Sequence, residues 1–285
     1  MSDIIEIQDL VKKYGDKVAV NGISFTVHEG ELFGFLGPNG AGKTTTVRCV
    51  STLTNITSGT VLVNGIDVMK DQTKAKSYMG VIQQQISLDK DLTIRENMIS
   101  HAMYHGMGKQ ERNARMKELI EYFGLEEYLD KSVDSLSGGW KKRAAIVCAM
   151  LHQPKVLFLD EPTSGLDINA RRLLWDVVKK LNQSGTTIVL TTHYIEEAQA
   201  LCDRVGIIDR GKIIALDNPQ NLIENTGKIA VEYMEEGKTV YQYFSGMKEA
   251  QEFVAKKELD DATVRKTNLE DVFVELTGKS VGDQK

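Results

Sequence analysis

Along the first part of this chain, apolar residues recur at two spacings, one typical of strands and the other of helices. Residues Ile4–Leu10 and Gly22–Val27 alternate one by one, in the manner of strands at an exposed edge of a sheet. The run Glu31–Leu36 is almost continuously apolar and stops at Gly37, which is typical of a strand buried on both faces. Residues Thr44–Ser51 then show helical spacing, so this part of the chain predicts a mixed α/β core.

The same two spacings predict strands and helices in alternation as far as about residue 217. Further strands are predicted at Val61–Val63, Met79–Ile82, Val156–Leu159 and Thr187–Thr191. Further helices are predicted at Ile94–Met107, Glu111–Phe123, Asn169–Leu181 and Ile195–Cys202, and another between Gly139 and Pro154. A hairpin of Arg204–Asp209 with Lys212–Leu216 is predicted to turn at Arg210-Gly211. Strands that alternate with helices predict a mostly parallel sheet with helices on both faces.

Two stretches break this alternation and predict how the chain is divided. From about residue 93 to 153 every predicted element is helical, which indicates an insertion into the sheet domain. After Pro219 the predicted elements are Lys228–Tyr233 and Thr239–Phe244 (strands), Met247–Glu258 (helix), Ala262–Lys266 (strand) and Leu269–Leu276 (helix). We therefore predict a main domain at residues 1–217, with its helical insertion at about 93–153, and a small accessory α+β domain at 218–285.

Composition narrows the class of protein without identifying it. The 285 residues carry a net charge of −5, whereas nucleic-acid-binding proteins usually show a basic excess. The three cysteines, Cys49, Cys148 and Cys202, are odd in number and far apart, which is typical of reduced thiols in the cytosol. No secretory signal is visible, and no apolar run approaches the ~18 residues that cross a bilayer. We expect a cytoplasmic chain that would serve a membrane only through a partner.

A glycine-rich loop after the buried strand gives the first chemical signal. It fits the pattern G-x-x-x-x-G-K-[ST] and lies between a strand and a helix, where a phosphate loop belongs. Its backbone amides can converge on an anion, and the helix N-terminus adds its dipole. Lys43 is expected to reach the terminal phosphates, Thr44 to ligate Mg²⁺ and Thr45 to contact a phosphate. The loop residues are Gly37, Pro38, Asn39, Gly40, Ala41, Gly42, Lys43, Thr44 and Thr45.

Two adjacent carboxylates end the predicted strand Val156–Leu159. Asp160 closes the strand and is expected to hold Mg²⁺, as the second carboxylate anchor does in phosphate-loop enzymes. Glu161 follows and points elsewhere, so it is placed to polarise a water against the γ-phosphate. In an isolated Asp-Glu pair the glutamate would more often be a capping or surface acid. Here the pair follows a buried strand in a chain with a phosphate loop, which favours the catalytic role.

Polar side chains at other predicted strand ends complete the candidate site. His193 ends the strand Thr187–Thr192, at the carboxyl edge of the sheet, where it could bond the γ-phosphate and orient Glu161. Gln83, Gln84 and Gln85 follow another strand, and one of them can reach the metal and the attacking water; their positions alone do not select among the three. Tyr14 offers a ring face that could stack on adenine, although such tyrosines are often packing residues.

A second phosphate-friendly turn, Leu-Ser-Gly-Gly-Trp, opens the helix before Pro154. Ser137, Gly138 and Gly139 offer a hydroxyl and two unhindered amides. A tight Ser-Gly turn, Ser164–Asp167, follows the carboxylate pair.

In their order and spacing, these motifs resemble those of ATP-binding cassette (ABC) ATPases, and the resemblance covers about residues 1–217. The residues that carry it are Gly37–Thr45, Gln84, Leu136–Trp140, Val156–Glu161, Ser164–Asp167 and His193. The resemblance implies an α/β fold, a P-loop NTPase core sheet with a helical insertion and N-terminal antiparallel strands. It also implies that ATP and Mg²⁺ are the bound nucleotide and metal.

The resemblance assigns roles that the residues alone leave open. Tyr14 matches the adenine-stacking aromatic residue, and Gln84 matches the glutamine that reaches the metal and the attacking water. The stretch Ser137–Gly139 would contact the γ-phosphate held by the opposite subunit of a head-to-tail dimer, identical or not, with two composite sites. Asp167 matches the aspartate that links those two sites. Trp140 departs from the family pattern, which usually has Gln there, and is expected to offer an apolar or stacking surface near the dimer seam.

The C-terminal stretch Asn268–Gly278 resembles the terminal motif of daunorubicin-resistance-type ATPases, as do Ser87–Asp89 and Leu92–Asn97. These ATPases pair with polytopic ABC-2-type permeases and mostly drive export. The resemblance therefore implies an exporter subunit that lies peripherally on the inner face of the cell membrane. An ordinary amphipathic helix docked on the body would explain the same stretch, and both interpretations are compatible.

Three other classes compete with the transporter subunit. Chromosome or DNA-repair ABC ATPases would need a long coiled-coil insertion, and translation factors would need two cassettes; the sequence has neither. A phosphate-loop kinase or GTPase would not explain the Leu-Ser-Gly-Gly turn. A metal-cluster assembly ATPase would lack the C-terminal stretch.

Overall fold

The computed structural model describes residues 2–277, and its strands form three sheets. The strands are β1 (Asp3–Tyr14), β2 (Lys17–His28), β3 (Leu32–Leu36), β4 (Ser58–Val63), β5 (Ile66–Asp67), β6 (Met79–Ile82), β7 (Val156–Asp160), β8 (Thr187–Thr192), β9 (Arg204–Asp209), β10 (Lys212–Asp217), β11 (Ile229–Glu235), β12 (Lys238–Phe244) and β13 (Thr263–Lys266). The α-helices are α1 (Lys43–Val50), α2 (Gln72–Ser77), α3 (Ile94–Tyr104), α4 (Lys109–Phe123), α5 (Gly138–Ala149), α6 (Ile168–Gln183), α7 (Ile195–Leu201), α8 (Pro219–Thr226), α9 (Met247–Lys257) and α10 (Leu269–Thr277). Short 3₁₀ turns lie at Glu126–Tyr128 and Val133–Ser135.

The central sheet has six strands in the order β10-β9-β3-β8-β7-β6. All neighbours from β9 to β6 pair in parallel, and only β10 is antiparallel, through the predicted hairpin at Arg210-Gly211. Every residue of β3, β7 and β8 is buried, as expected for strands covered on both faces. The predicted α/β class with a mostly parallel sheet is confirmed.

A second, antiparallel sheet contains the N-terminal strands, in the order β2-β1-β4-β5. The prediction of an exposed-edge strand is wrong for β1, because β1 pairs with both β2 and β4. A register shift between Ile7 and Leu10, where Asp9 has a positive φ of 48°, keeps both apolar residues buried. Further register shifts follow at Leu10/Val11 and Lys12/Lys13, so the apolar alternation is lost after Leu10 although β1 continues to Tyr14. Phe25 packs on Phe33 of the central sheet and joins the two layers.

The all-helical stretch predicted at about 93–153 contains α3, α4, α5 and the two 3₁₀ turns. Its apolar residues are continuous with the core under the central sheet: Met98 on α3 and Leu119 on α4 share one buried cluster with Leu157 of β7. Thr93 caps α3 in a reciprocal capping box with Glu96. The insertion is therefore packed on the sheet through α5 rather than standing apart from it.

The C-terminal residues divide between two cores. Strands β12-β11-β13 form an antiparallel sheet, and with α9 they enclose a small cluster around Val231 and Ala250. Helix α10 instead packs against α7 and α8, where Leu269 and Phe273 join the main core. The boundary at residue 217/218 stays a prediction, since α10 folds back onto the body. Gly278, the last residue of the terminal motif, lies outside the described residues.

Helices α2 and α8 were missed, although each has a start signal. Asp71 caps α2 by accepting the backbone N–H of Lys74. Asn218 caps α8, and Pro219 occupies its first turn. On α2 only Ala75 is buried, so its sequence has almost no apolar pattern that would indicate a helix. In the described part of the chain, no helix has the length and apolarity to cross a membrane.

Candidate active site

Four loops meet at the carboxyl edge of the central sheet, because parallel strands present their carboxyl ends on one side. The phosphate loop follows β3, and the glutamine loop (Gln83, Gln84 and Gln85) follows β6. The carboxylate pair lies at the end of β7, and His193 follows β8. The loops border a cleft of about 530 Å³. The cleft is lined by Tyr14, Lys17, Ala19, Asn39, Gly40, Gly42, Lys43, Thr44, Thr45, Gln84, Glu161, Ser164 and His193.

The phosphate loop has a backbone shape that only glycine allows at its last turn. Gly42 has a φ of 113°, and a Cβ there would lie 2.6 Å from the carbonyl oxygen of Ala19. Helix α1 starts at the next residue, so its free N–H groups face the cleft. Gly211 donates its backbone N–H to Ala41 and anchors the loop to the β9–β10 hairpin.

Lys43 lies inside the loop and is only 4% exposed. Its Nζ donates to the carbonyl oxygens of Gly37 at 2.7 Å and Pro38 at 3.0 Å. Glu161 Oε1 is 3.7 Å from the same Nζ. Burial lowers the pKa of Lys43, and the charges of Glu161 and Asp160 oppose that shift. The ammonium is held by weak carbonyl partners, so a phosphate is a stronger acceptor for it.

Asp160 is held between two hydroxyl groups. Thr44 Oγ1 donates to Asp160 Oδ1 at 2.8 Å, and Thr191 Oγ1 donates to the same oxygen at 2.6 Å. Thr191 lies directly across the β7–β8 ladder from Asp160, which explains the second contact. The Thr44 hydroxyl and the Asp160 carboxylate are hard oxygen donors, which suit Mg²⁺. Within residues 2–277, no three His, Cys, Asp or Glu side chains gather as a metal cage.

Glu161 receives contacts from three different elements. Gln84 Nε2 donates to Glu161 Oε2 at 3.2 Å, and His193 Nδ1 lies 3.3 Å from the same oxygen, without hydrogen-bond geometry. Lys43 approaches the other carboxylate oxygen. The backbone of Glu161 has a positive φ of 46°, which is uncommon for a non-glycine residue. Its N–H donates to Thr191, whose hydroxyl and carbonyl oxygens both accept, and so stabilises this conformation.

Tyr14 lies at the rim of the cleft and is 47% exposed. The ammonium of Lys12 lies 4.6 Å from the centroid of its ring. The ring is therefore available for stacking at the open end of the cleft.

The stretch Ser137–Gly139 does not line the cleft around Lys43. Ser137 and Gly138 are exposed, and Ser137 precedes α5 without making a capping hydrogen bond. The helix N-terminus is thus open to an anion that comes from outside this chain. Asp167 is also exposed and caps α6 by accepting the N–H of Ala170 at 2.8 Å.

Trp140 packs within its own chain. Its ring stacks on Tyr128 at 3.9 Å between centroids, and the Arg143 guanidinium lies 4.7 Å from the Trp140 ring centre. The side chain is half-buried and ties the start of α5 to the 3₁₀ turn Glu126–Tyr128. The expected apolar surface near a dimer seam is thus largely used inside the chain.

Thr191 and Lys142, which hydrogen-bond to the active-site residues, were not predicted. Thr191 lies two residues before His193, but its place opposite Asp160 follows from the register of β7 and β8, which the sequence does not show. Lys142 is one of three successive basic residues at the start of α5, and nothing in the sequence distinguishes it from its neighbours. It is buried, and it donates to the carbonyl oxygen of Gln84 at 2.9 Å.

Comparison with known proteins agrees with this geometry. The family model described as "ABC transporter" matches residues 20–164. The Nod factor export ATP-binding protein I of Burkholderia lata is 38% identical over 98% of both chains. The linearmycin resistance ATP-binding protein LnrL of Bacillus subtilis is 41% identical over 79% of this chain and 72% of its own.

A solved structure shows the same fold. The dimeric post-hydrolysis state of the ATP-binding cassette MJ0796, bound to ADP and Pi, superposes with a TM-score of 0.67 and 27% identity. The match covers 75% of this chain and 98% of that one.

Proposed function

The chain belongs to the ABC transporter family, and we propose that it drives export through a separate ABC-2-type permease by hydrolysing ATP between two head-to-tail cassettes. It is an ATP-binding subunit with ATPase activity. The observation that carries the proposal is the meeting of Lys43, Gln84 and His193 around the Glu161 carboxylate. A buried carboxylate reached from three loops is arranged for chemistry rather than for surface charge.

Each part of the cleft has a role in hydrolysis. The amides of the phosphate loop and Lys43 bind the phosphates, and Tyr14 stacks on the adenine. Glu161 accepts the proton of the attacking water as general base. His193 contacts the γ-phosphate and orients Glu161, while Gln84 positions the water.

Thr44, Asp160 and Gln84 would hold Mg²⁺. Bound there, the ion would neutralise charge on the β- and γ-phosphates. The few protein oxygens present fit this metal, which commonly keeps waters and substrate phosphates as its other ligands.

The exposed turn Ser137–Gly139 supports a composite site. It lies outside the chain's own cleft, and its amides and hydroxyl have room for a γ-phosphate held by a second cassette. Asp167 would contact the opposing site across the seam. The dimeric MJ0796 cassette is a precedent for the assembly, whether the two subunits are identical or different.

The export direction and the permease rest on the relatives. One is named for Nod factor export and another for linearmycin resistance, so similar ATPases serve different cargoes. The subunit would act at the cytoplasmic face of the membrane, bound to its permease. Cargo choice would then belong to the permease, because the cleft described here fits a nucleotide.

Substitution of Glu161 by Gln tests the hydrolysis step. Glu161→Gln keeps the shape and the Gln84 contact but cannot accept a proton. We expect nearly unchanged ATP affinity, a loss of turnover of at least about a hundredfold, and an ATP-bound dimer in size-exclusion chromatography. Turnover at the wild-type rate would remove Glu161 as the base.

Co-purification tests the transporter assignment. A tagged chain, extracted from membranes with detergent, should bring down a polytopic membrane protein at a fixed ratio. Recovery from the soluble fraction alone, with no membrane partner, would favour a non-transport ABC ATPase.

A further inference from the structure

Helix α5 carries three successive basic residues that point in different directions. Lys141 is half-buried and lies 3.6 Å from Asp134, and Arg143 packs over the ring of Trp140. Lys142 turns inward and is 5% exposed. Lysine is almost never buried without a partner, so its surroundings indicate what it does.

The partner of Lys142 is the glutamine loop. Its Nζ donates to the backbone carbonyl oxygen of Gln84 at 2.9 Å. Burial lowers the pKa of Lys142, while the charges of Asp160 and Glu161 raise it. The ammonium therefore interacts electrostatically with both active-site carboxylates and contacts the glutamine loop, which lies against Glu161.

This contact forms the middle of a short chain of contacts. Helix α5 begins directly after Ser137, and Lys142 is five residues further along the same rigid element. The Gln84 backbone accepts from Lys142, and the Gln84 side chain donates to Glu161 Oε2 at 3.2 Å. Ser137 is thus connected to Glu161, the base, through about one and a half turns of α5 and through Gln84.

We propose that Lys142 is a positioning residue that connects the two ATP sites of the dimer. When the partner's γ-phosphate binds at Ser137, α5 is held in one place, and Lys142 then holds Gln84 where it orients Glu161 in the chain's own site. The inference rests on the proposed composite sites. It adds a path by which ATP in one site controls hydrolysis in the other.

The test is a double-substitution cycle on ATP turnover. Lys142→Met keeps an unbranched apolar side chain, one atom shorter than lysine, but removes the donor. We expect kcat to fall at least about tenfold with KM for ATP within about twofold, and the Hill coefficient to fall towards 1. In a Gln84→Ala background the same substitution should cost little further, because Lys142 acts through Gln84.

Two controls separate positioning from folding. Lys142→Arg keeps a charged donor and should retain most of the turnover, and Lys141→Met, half-buried on the same helix, should match the wild type. If Lys142→Met does not fold, Lys142→Gln replaces it in the same cycle. The inference is overturned by wild-type turnover and cooperativity in the variant, by an equal loss in the Gln84→Ala background, or by unfolding of both variants.

Failure of the proposed function would look different. A wild-type chain that neither hydrolyses ATP nor dimerises with it would remove the composite sites themselves. If the wild type is active and cooperative, and substitution of Lys142 changes neither turnover nor cooperativity, only the proposed connection between the two sites would be removed.

Discussion

At the scale of single residues, one threonine sets the direction of both active-site carboxylates. Thr191 donates its hydroxyl to Asp160 Oδ1 and accepts the backbone N–H of Glu161. The second bond, together with one from the same N–H to the Thr191 carbonyl oxygen, holds Glu161 in its positive-φ conformation, which places the carboxylate among Lys43, Gln84 and His193. The geometry of the base therefore depends on a residue that need not touch ATP.

Replacement of Thr191 by valine should impair hydrolysis more than binding. Thr191→Val keeps the shape but removes both hydroxyl bonds, so we expect a loss of about 1.5–3 kcal/mol in the free energy of unfolding. The kcat should fall by at least about tenfold, because Glu161 is then less well placed. Steady-state kinetics and urea denaturation measure the two effects.

The same strand offers a matched control. Thr187 is equally buried on β8, and its hydroxyl accepts from Gly30 at the opposite end of the sheet. Thr187→Val should lower stability but leave kcat unchanged. Equal kcat values for the two variants would contradict the role given to Thr191.

The sequence was enough to predict where Lys43 and Asp160 lie, while the roles given to them stay predictions. Lys43 and Asp160 occur in local patterns whose backbone shape follows from the letters. Thr191 and Lys142 depend instead on strand register and on which face of α5 turns inward. Such information appears only when separate segments pack, so spacing alone could not supply it.

At the scale of elements, three histidines lie where the helical insertion meets the central sheet. His101 lies on α3 and His105 ends it, and the His105 ring stacks on His152 at 3.6 Å between centroids. His152 Nε2 lies 3.0 Å from the carbonyl oxygen of Met79 on β6. Burial lowers the pKa of all three, and for His152 to about 4, with His105 adding a smaller repulsion.

These shifts predict a loss of stability in acid. A histidine whose folded-state pKa lies below its unfolded value of about 6.5 takes up protons first in the unfolded state as the pH falls. The free energy of unfolding should therefore decrease between about pH 6.5 and 4, by roughly 1 kcal/mol from His152 by pH 5 after allowance for its partial exposure. Chemical denaturation at several pH values measures the slope.

A His152→Gln variant isolates this contribution. Glutamine can still donate to the Met79 carbonyl oxygen but does not titrate in this range. Its stability should fall less steeply than that of the wild type below pH 6.5. A slope identical to that of the wild type would show that His152 is not the group responsible.

At the scale of the whole molecule, the alternation of predicted strands and helices was enough to predict the central sheet. The segments predicted as strands β3, β7 and β8 are buried over their whole length in the structure. The alternation was not enough for the C-terminal residues. Helix α10 has the apolar spacing of any amphipathic helix, and only its packing against α7 and α8 reveals that it belongs to the main core. Which surface receives a helix is a property of the folded body, so the boundary at residue 217/218 stays a prediction.

The composite site makes a prediction that no single chain could satisfy. Ser137→Arg places a bulky cation where the partner's γ-phosphate would lie, so its homodimer should lose hydrolysis at both sites. Glu161→Gln loses hydrolysis through the base. If the two variants are mixed, each mixed dimer has one intact site, formed by Glu161 of one chain and Ser137 of the other. An equal mixture should therefore regain at most roughly a quarter of wild-type turnover, since half of its dimers are mixed. Recovery should be smaller than this limit if Lys142 connects the sites, because the chain that keeps Glu161 carries the altered Ser137.

A nearby serine provides the control for charge and size. Ser135 is exposed on the 3₁₀ turn before Ser137, and Ser135→Arg should leave turnover unchanged. Full activity of the Ser137→Arg homodimer would contradict a trans contact. If mixed dimers form, as detected with two affinity tags, and still do not turn over, then either the two residues do not serve one site, or the change at Ser137 also disables Glu161 of its own chain through Lys142. A mixture with Lys142→Met added to the Ser137→Arg chain distinguishes the two only if some turnover is first recovered. Recovered activity would mean that ATP bound to one cassette is hydrolysed only when the other cassette supplies its Ser137–Gly139 turn. Such hydrolysis requires closure of the dimer in every cycle.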